Sequence, residues 1–423
     1  MVYGGDGLAH ADGHTVFIPY VLPGEEVQAE IVSRKKKLAW AKPLSIAKPH
    51  ADRVKPFCPH FGTCGGCHYQ HASYVAQVKL KTEILRETLS RMGGVDWSGE
   101  VKTHTAEPFH YRNRAQWAVR HANPRALGYY LPESNVVMPV DRCDILSPAL
   151  VDTFSRLQNL TRSGSLPAEI LEIEAFANSA DSKTALNVAF KEFAGPAEQL
   201  TNLFRAAVPS LETLLLLDQK KNRFELSGPG YLIQQAGGYE FRVSHLSFFQ
   251  VNRFLIEELL TSVVAGAQGA FALDLYAGVG FFTLPLAKQF QRIVSVDANL
   301  SATRNLRENA EQAGVPVVSR NEHVEEFLEK TSERPDFVVL DPPRSGLGQA
   351  GAQKLANLGP QEVVYLSCDP ATLARDLAIL LQTPRKPSES QRPAHRYEIT
   401  AVDFFDLFPQ TFHIETLVRL RRR

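Results

Sequence analysis

From about position 246 onward, apolar residues occur in short continuous runs, and each run is followed by a stretch with helical spacing. Continuous apolar runs are typical of strands that are buried on both faces. Strands that alternate with helices favour a parallel sheet, whose ligands bind at the carboxyl ends of the strands. The pattern therefore predicts a doubly wound, Rossmann-like α/β domain over residues 246–423. Its predicted strands begin at Phe271, Arg292, Asp336 and Glu362.

The first 52 residues have a different pattern, in which apolar and polar positions alternate in short segments between Gly and Pro-Gly turns. Strands are predicted at Thr15 to Tyr20, Glu26 to Ser33 and Leu38 to Pro43, and this spacing is typical of a small OB-like β-barrel. The basic run Arg34 to Lys37 falls in one hairpin turn. Contact with RNA and an ordinary solvated turn both explain that run.

Residues 53–245 form the third predicted unit, a mixed central domain. An amphipathic helix is predicted from Tyr74 to Met92, and many strand-like runs follow, which favours a mostly antiparallel sheet. Tyr111 to Arg114 opens that sheet and combines an aromatic ring with two guanidinium groups. Such a combination suits RNA, although an ordinary edge strand fits equally well.

Composition limits the possible partners and compartment. The chain has 423 residues and a formal net charge of zero, so binding to nucleic acid must depend on local basic clusters. It has no N-terminal signal pattern and no apolar run near the ~18 residues of a membrane span. We expect a cytoplasmic monomer without a membrane segment.

Cys368 ends the apolar run that begins at Glu362, and a helical pattern follows it. Asp369 is a suitable N-cap and Pro370 a suitable first helical residue, which would place the thiol at a helix N-terminus. A thiol in that position tends to have a lowered pKa, and the thiolate is the nucleophile. The pattern predicts a reactive cysteine, although a small buried residue would also fit.

Asp341 ends the preceding apolar run and is followed by two prolines, in LDPPRSGL. Adjacent strands of a parallel sheet end at the same edge, so Asp341 and Cys368 should face one crevice. The prolines stiffen the loop and remove two backbone donors. A carboxylate and a thiol beside a rigid loop favour a site for a heterocycle.

The loop after the first strand of this domain contains Gly278 and Gly280, and the next strand ends at Asp297. It lacks the third glycine of the dinucleotide fingerprint, so a pyrophosphate on the helix is less expected. An adenosine with a sulfonium tail, whose ribose hydroxyls Asp297 would hold, fits better. We therefore predict S-adenosylmethionine rather than NAD as the ligand of this loop.

Three of the five cysteines are clustered as Cys58, Cys64 and Cys67, a C-x5-C-x2-C arrangement with two glycines. Three thiolates on one tight loop favour a soft metal. Zinc and an iron-sulfur cluster both fit three local sulfurs with a remote fourth, for which Cys143 is available.

Several motifs resemble those of the RNA 5-methyluridine methyltransferase family, and in particular its iron-sulfur members that act on 23S ribosomal RNA. The resemblance covers nearly the whole chain. Its N-terminal part is similar to the TRAM barrel of that family. The motifs that carry it are VYGGDGLA, PGE, C-x5-C-x2-C, FFQVN, DLYAGVG, LDPPRSG, SCDPATLARDL and FPQTFHIE.

The resemblance implies a residue for each role in methylation of uracil C5. The Cys368 thiolate would add to C6 of the base and so activate C5, and Glu415 would then accept the C5 proton. A [4Fe-4S] cluster would be held by four cysteines, and S-adenosylmethionine by four further residues. The implied cluster ligands are Cys58, Cys64, Cys67 and Cys143, and the implied cofactor-binding residues are Gln250, Tyr276, Asp297 and Asp341.

Three positions depart from the family pattern near the cofactor. Phe281 replaces a common Asn, Asp297 replaces a common Glu, and His323 replaces a polar residue near the adenine. Transfer RNA is an alternative substrate. An RNA 5-methylcytosine methyltransferase is a weaker alternative, because the loop here reads DPPRSG without a cysteine, and a non-catalytic RNA-binding iron-sulfur protein is another.

Overall fold

The N-terminal residues form four strands, the three that their alternating pattern predicts and an additional one before them. In this computed structural model, which describes residues 1–122, 125–132, 134–193, 196–383 and 394–423, they pair in the order β1-β2-β4-β3. Within residues 1–52 the edge strands β1 and β3 do not pair with each other, so the sheet is open where a closed barrel was expected. An OB barrel closes with about five strands, and this sheet has one fewer. The strands are β1 (Asp6–Ala11), β2 (His14–Pro19), β3 (Glu26–Lys35) and β4 (Leu38–Lys48).

A seven-stranded central sheet follows, in the order β12-β11-β10-β9-β6-β7-β8. Its pairs are antiparallel except for β10 with β11, which agrees with the predicted mixed domain. Helices α2 and α3 share its core, which is built around residues such as Trp117 and Phe154. The elements are β6 (Arg114–Arg120), β7 (Ala126–Tyr130), β8 (Val137–Pro139), α2 (Pro148–Arg162), β9 (Ile170–Ala177), β10 (Thr184–Phe190), α3 (Ala197–Ala207), β11 (Leu211–Asp218) and β12 (Arg223–Ser227).

The C-terminal region contains an eight-stranded sheet in the order β17-β16-β15-β18-β19-β21-β20-β5. Strands β15 to β19 are parallel, and β21 is antiparallel to both of its neighbours, β19 and β20. Alternate residues of β18 contribute to two separate apolar cores, which confirms that helices cover both faces. The elements are β15 (Gly269–Leu275), α5 (Thr283–Ala287), β16 (Phe290–Val296), α6 (Leu300–Gln312), β17 (Val318–Arg320), α7 (Val324–Lys330), β18 (Phe337–Leu340), α8 (Gly348–Leu358), β19 (Glu362–Ser367), α9 (Pro370–Leu380), β20 (Tyr397–Phe405) and β21 (Glu415–Arg422).

Two elements from the predicted central stretch pack with the C-terminal sheet. Helix α1 (Tyr74–Gly93) contributes Ile84, Leu85 and Leu89 to the core under α9, and β5 (Val101–His104) pairs with β20 as the edge strand. The predicted 53–245 unit therefore includes a segment whose partners lie in the C-terminal region. The remaining elements are the hairpin β13 (Tyr231–Ala236) and β14 (Tyr239–Ser244), and α4 (Ile256–Val264). Among the described helices, none is long and apolar enough to cross a membrane.

Candidate active site

Three predicted site residues meet at the carboxyl edge of the C-terminal sheet. Asp341 follows β18 and Cys368 follows β19, its parallel neighbour. Strand β21 runs in the opposite direction, so its first residue, Glu415, lies at this same edge. Because Ser367 pairs with Thr416, the antiparallel register brings Glu415 beside Cys368. Sequence distance gave no hint of this, since 47 residues separate the two.

The backbone around Cys368 has the predicted strand-to-helix geometry. Asp369 caps α9, and its side chain accepts hydrogen bonds from the backbone N–H groups of Ala371 and Thr372, both at 2.9 Å. The Tyr3 hydroxyl donates to the Cys368 carbonyl at 3.4 Å, so the N-terminal segment also reaches this turn. Tyr3 was not expected here, because nothing in its sequence surroundings indicates the contact.

The expected lowering of the Cys368 pKa is wrong for the protein without substrate. Burial, together with the Glu415 and Asp341 carboxylates, raises the pKa of the thiol to about 12, and the Arg344 guanidinium opposes that rise only in part. The helix N-terminus favours the thiolate, but it acts within one turn and is worth about 1 kcal/mol. Desolvation and two nearby carboxylates outweigh it.

The pKa values of the half-buried Asp341 carboxyl and the buried Glu415 carboxyl both rise. Burial is the main cause in each, and the Asp341 charge raises the pKa of Glu415 further. The Gln250 amide donates to Asp341 Oδ2 at 3.4 Å, which partly offsets the rise there. Glu415 is 5% exposed, and its Oε1 has no hydrogen-bond partner. A buried carboxyl oxygen without a partner, beside a thiol, is suited to exchange a proton with a bound substrate.

The loop after Asp341 brings a guanidinium to the same crevice. The Arg344 carbonyl accepts a hydrogen bond from the Thr372 hydroxyl at 3.1 Å, which ties the loop to α9. Arg344 Nη2 lies 3.5 Å from His413 Nε2. Burial and this guanidinium lower the pKa of His413 to about 3, so the ring is neutral. His413 precedes β21 and lines the cysteine cavity described below.

A second part of the edge carries the predicted cofactor residues Tyr276 and Asp297. Tyr276 has a positive φ of 63°, an uncommon conformation for a residue with a Cβ, at the turn between β15 and the Gly loop. Its hydroxyl donates to Glu325 at 3.0 Å. Asp297 accepts from the backbone N–H groups of Gly278 at 2.8 Å and Asn299 at 2.7 Å. One carboxylate therefore holds both the Gly loop and the start of α6.

Two of the three departures from the family pattern lie in different surroundings. Phe281 is buried and packs edge-on to Phe249 at 5.3 Å, so it contributes to the apolar core. His323 is the exposed N-cap of α7, and its side chain makes no capping bond. Asp274 was not among the predicted site residues, yet burial raises its pKa to about 7, and Thr283 Oγ1 donates to it at 2.5 Å.

The four cysteines predicted to bind a cluster line one cavity of about 280 Å³. Among the described residues, no three His, Cys, Asp or Glu side chains are spaced to hold a single metal ion. The Arg112 side chain also lines the cavity, and its Nε donates to the Arg114 carbonyl at 2.8 Å. Burial, followed by nearby thiol groups, raises the pKa values of three of these cysteines, Cys64 among them. The cavity cysteines are Cys58, Cys64, Cys67 and Cys143; the raised pKa values are about 12 for Cys67 and about 11 for Cys143.

Tyr111 to Arg114 connects the central sheet to the active site. The Tyr111 ring is fully buried, and its hydroxyl donates to the Pro409 carbonyl at 3.1 Å. Arg114 Nη1 donates to the Ser247 carbonyl at 2.7 Å, three residues before Gln250. Tyr111 and Arg114 therefore make their contacts within the protein. Of the two alternatives, RNA contact and a structural role, the structural role describes these two residues.

The sequence and the fold are both similar to those of known proteins. Residues 73–423 match the model of the tRNA (uracil-5-)-methyltransferase family. The chain is 32% identical over 438 residues to a 23S rRNA (uracil(1939)-C(5))-methyltransferase RlmD from Alkalilimnicola ehrlichii, covering 99% of this chain and 94% of that protein. It is 31% identical to an enzyme of the same name from a Shewanella species, covering 98% and 92%. The fold matches that of Pyrococcus abyssi tRNA (uracil-54, C5)-methyltransferase in complex with S-adenosyl-L-homocysteine, with a TM-score of 0.77, 22% identity, and coverage of 99% and 98%. The chain therefore belongs to the tRNA (uracil-5-)-methyltransferase family.

Proposed function

We propose that this protein methylates C5 of a uridine in RNA, with S-adenosylmethionine as the methyl donor. The observation that carries the proposal is the meeting of Cys368, Asp341 and Glu415 at one sheet edge, where Glu415 Oε1 lacks a partner. Uracil C5 is a weak nucleophile, and chemistry at that carbon needs a nucleophile for C6 and a base for the C5 proton. At this edge Cys368 would serve as the nucleophile and Glu415 as the base.

Gln250, Tyr276, Asp297 and Asp341 would hold S-adenosylmethionine, which supplies the methyl group from a sulfonium centre. Asp297 accepts two backbone hydrogen bonds, one on each oxygen, so each oxygen keeps a lone pair for a ribose hydroxyl. Asp341 and Gln250 hydrogen-bond to each other at the end of β18, two strands along from Asp297 and adjacent to β19, which precedes Cys368. This order along the edge would direct the transferred methyl group toward the base.

Each residue then has one step. The Cys368 thiolate would form a bond to C6, and the C5–C6 π electrons would move onto C5, which would bond to the methyl carbon as the bond from that carbon to the sulfonium sulfur breaks and leaves a neutral thioether. Glu415 takes the C5 proton, and the electrons of the C5–H bond restore the double bond and release the Cys368 thiolate. The target base must leave its stack to reach this edge. Arg344, beside His413, has the charge and exposure to contact a phosphate.

RNA that contains 5-fluorouridine tests this proposal. Fluorine at C5 cannot leave as a proton, so the reaction should stop after methyl transfer as a covalent conjugate through Cys368. The expected result is a denaturation-resistant band that contains one RNA and one protein, and Cys368→Ala should abolish it. An active preparation that forms no conjugate through Cys368 would contradict the mechanism.

Ribosomal 23S RNA is the proposed substrate. Its support is the identity of 31–32% to two enzymes named for 23S rRNA, over 98–99% of this chain. The family description names transfer RNA, which keeps that class as the second candidate. Mapping 5-methyluridine in RNA from cells that lack this gene separates them. A methyl group lost from tRNA alone would exclude the ribosomal substrate.

A [4Fe-4S] cluster on Cys58, Cys64, Cys67 and Cys143 is also proposed. In such a cluster each of the four iron atoms would take one cysteine, so the ligands would surround a cavity and need not converge on one ion. Four sulfurs around about 280 Å³ fit this better than a single zinc ion, and the Arg112 guanidinium would balance negative charge. Iron and sulfide analysis of anaerobically purified protein should give about four of each per chain. Zinc in their place would reject the cluster.

The N-terminal sheet is proposed to contact RNA through the exposed turn Arg34 to Lys37, as in a TRAM domain. Four basic residues in one turn can release counterions from a phosphate backbone. Replacing Arg34 and Lys36 with Gln should weaken RNA binding and flatten its salt dependence. Unchanged affinity at low salt would argue against the contact.

A further inference from the structure

Residues 406–415, here called the base segment, connect β20 to Glu415 at the start of β21. In the middle of this segment lies Gln410, which is 3% exposed and has a φ of 69°. This left-handed conformation is uncommon for a residue with a Cβ. Backbone strain of this kind persists only where surrounding contacts impose it, and it is concentrated at functional sites.

Two groups of contacts hold Gln410 in this conformation, one from Gln77 and one from the backbone of His68 and Tyr69. The Gln410 N–H donates to Gln77 Oε1 at 3.0 Å, and Gln77 Nε2 donates back to Gln410 Oε1 at 2.9 Å. The Gln410 carbonyl accepts from the N–H groups of His68 at 2.8 Å and Tyr69 at 2.9 Å. The backbone N–H, the backbone carbonyl and the side-chain carbonyl of Gln410 are thus all held by residues outside the base segment.

Both anchors lie outside the strands that form the active-site edge. Gln77 is 1% exposed in α1, and its Nε2 also donates to the Ala72 carbonyl at 3.0 Å. His68 and Tyr69 directly follow Cys67, one of the cavity cysteines. The cysteine loop and α1 therefore jointly fix the conformation of the base segment.

A second buried contact fixes the beginning of the base segment. Lys81 of α1 is fully buried, and its Nζ donates to Asp406 Oδ1 at 2.7 Å and to the Phe408 carbonyl at 3.0 Å. Breaking a buried charge pair such as this one is strongly destabilising. A Lys81 variant would therefore not separate misplacement of Glu415 from a loss of folding. The neutral amide pair formed by Gln77 and Gln410 can be changed with a smaller effect on folding.

We propose that Gln77 and Gln410 are positioning residues that place the Glu415 carboxylate for removal of the C5 proton, an inference that rests on the proposed function. Glu415 Oε1 has no side-chain or backbone partner, so its position depends on the backbone where β21 begins. Cys368 lies on a different support, β19 and α9. Loosening the base segment should therefore slow proton removal and leave thiol addition and methyl transfer unaffected.

The test compares Gln77→Met with Gln158→Met in single-turnover reactions with an RNA substrate. Methionine keeps the length of the side chain and removes the two hydrogen bonds with Gln410 as well as the one to the Ala72 carbonyl. Gln158 is a matched control: it is a buried helix glutamine, 3% exposed, that makes three amide hydrogen bonds to Leu127 and Val140, outside the base segment. The methyl group on RNA and the denaturation-resistant Cys368 conjugate are followed in the same samples.

Gln77→Met is expected to form the methylated conjugate at the wild-type rate, within about twofold, and to release it about tenfold more slowly, because small misplacement of a reacting group is costly. Gln158→Met should lower thermal stability without accumulation of conjugate. Equal release rates in Gln77→Met and wild type, or equal slowing of formation and release, would overturn the positioning role.

A second variant keeps the inference testable if Gln77→Met does not fold. Gln410→Gly relieves the strained φ and removes the Oε1 contact, and it should also accumulate the conjugate. Fast release in a folded Gln410→Gly would overturn the inference. Absence of any conjugate in the wild type is a different result, because it would reject the proposed function itself.

Discussion

Two carboxylates at the same sheet edge, Asp297 and Glu415, have opposite environments. Asp297 is half-buried, and each of its oxygens accepts a backbone N–H. Glu415 is buried, has one oxygen without a partner, and lies beside Asp341 and Cys368. Backbone donors hold both Asp297 oxygens in place, whereas burial and the Asp341 carboxylate disfavour charge on Glu415. A carboxylate held in place suits the holding of a ligand, and a carboxyl with disfavoured charge suits the transfer of a proton.

Glu415→Gln should produce the largest effect. Glutamine keeps the size of the side chain but cannot accept the C5 proton, so turnover should fall about a thousandfold, within the range for loss of a general base. The methylated conjugate through Cys368 should accumulate in the variant. Turnover by steady-state assay and conjugate by denaturing gel give the check, and turnover near the wild-type rate would remove Glu415 from the mechanism.

Asp297→Asn should affect ligand binding and spare the later steps. The amide keeps one acceptor oxygen and loses the charge, which weakens the grip on the Gly loop and on a ribose. We expect the KM for S-adenosylmethionine to rise about tenfold, equivalent to about 1.4 kcal/mol, with kcat changed little at saturation. A large fall in kcat without a change in KM would mean that Asp297 does not act mainly in binding S-adenosylmethionine.

The pH dependence of activity should follow the raised pKa values of Cys368 and Glu415. Since burial and neighbouring carboxylates raise the pKa values of both Cys368 and Glu415, both groups lose their protons only as the pH rises. Activity should therefore increase from pH 6 to pH 9. In Glu415→Gln one neighbouring carboxylate is gone, so the pKa of Cys368 should fall. Alkylation of the Cys368 peptide, followed by mass spectrometry against pH, measures this shift, and a higher pKa in the variant would contradict it.

The smallest effect on activity is expected at the far edge of the same sheet. The His104 ring lies between Glu258, at 2.6 Å, and Asp403, at 2.8 Å. Burial alone would lower the pKa of His104, but the two carboxylates outweigh burial, so the pKa is raised. A raised pKa in the folded state gives stability that is complete below the unfolded value of about 6.5 and is lost as pH rises through the folded value. His104→Gln should lower Tm more at pH 6 than at pH 9. An equal loss of Tm at both values would mean that the charge contributes nothing.

Local sequence patterns were sufficient to predict features that depend only on a few neighbouring residues. The apolar runs and the residues after them predicted the strand that ends before Cys368, the Asp369 cap and the helix that follows. These features depend on backbone hydrogen bonds and caps formed within one turn.

Predictions that depended on the surroundings of a residue were less successful. Cys368 was expected to have a lowered pKa because its local position is favourable, but carboxylates from β18 and β21 surround it. Tyr111 and Arg114 suited RNA by type, yet their partners lie at Pro409 and Ser247. Burial and long-range charge are properties of the packed chain, and no window of sequence contains them.

By itself, the sequence determined the alternation of strands and helices, the residue types at the strand ends, and the grouping of three cysteines. Only the tertiary structure decided that Glu415 lies beside Cys368, that four sulfurs share one cavity, and that Gln77 and Gln410 form a pair. The physical reason is that secondary structure arises from contacts between near neighbours, whereas these contacts join elements up to 333 residues apart through sheet register and helix packing.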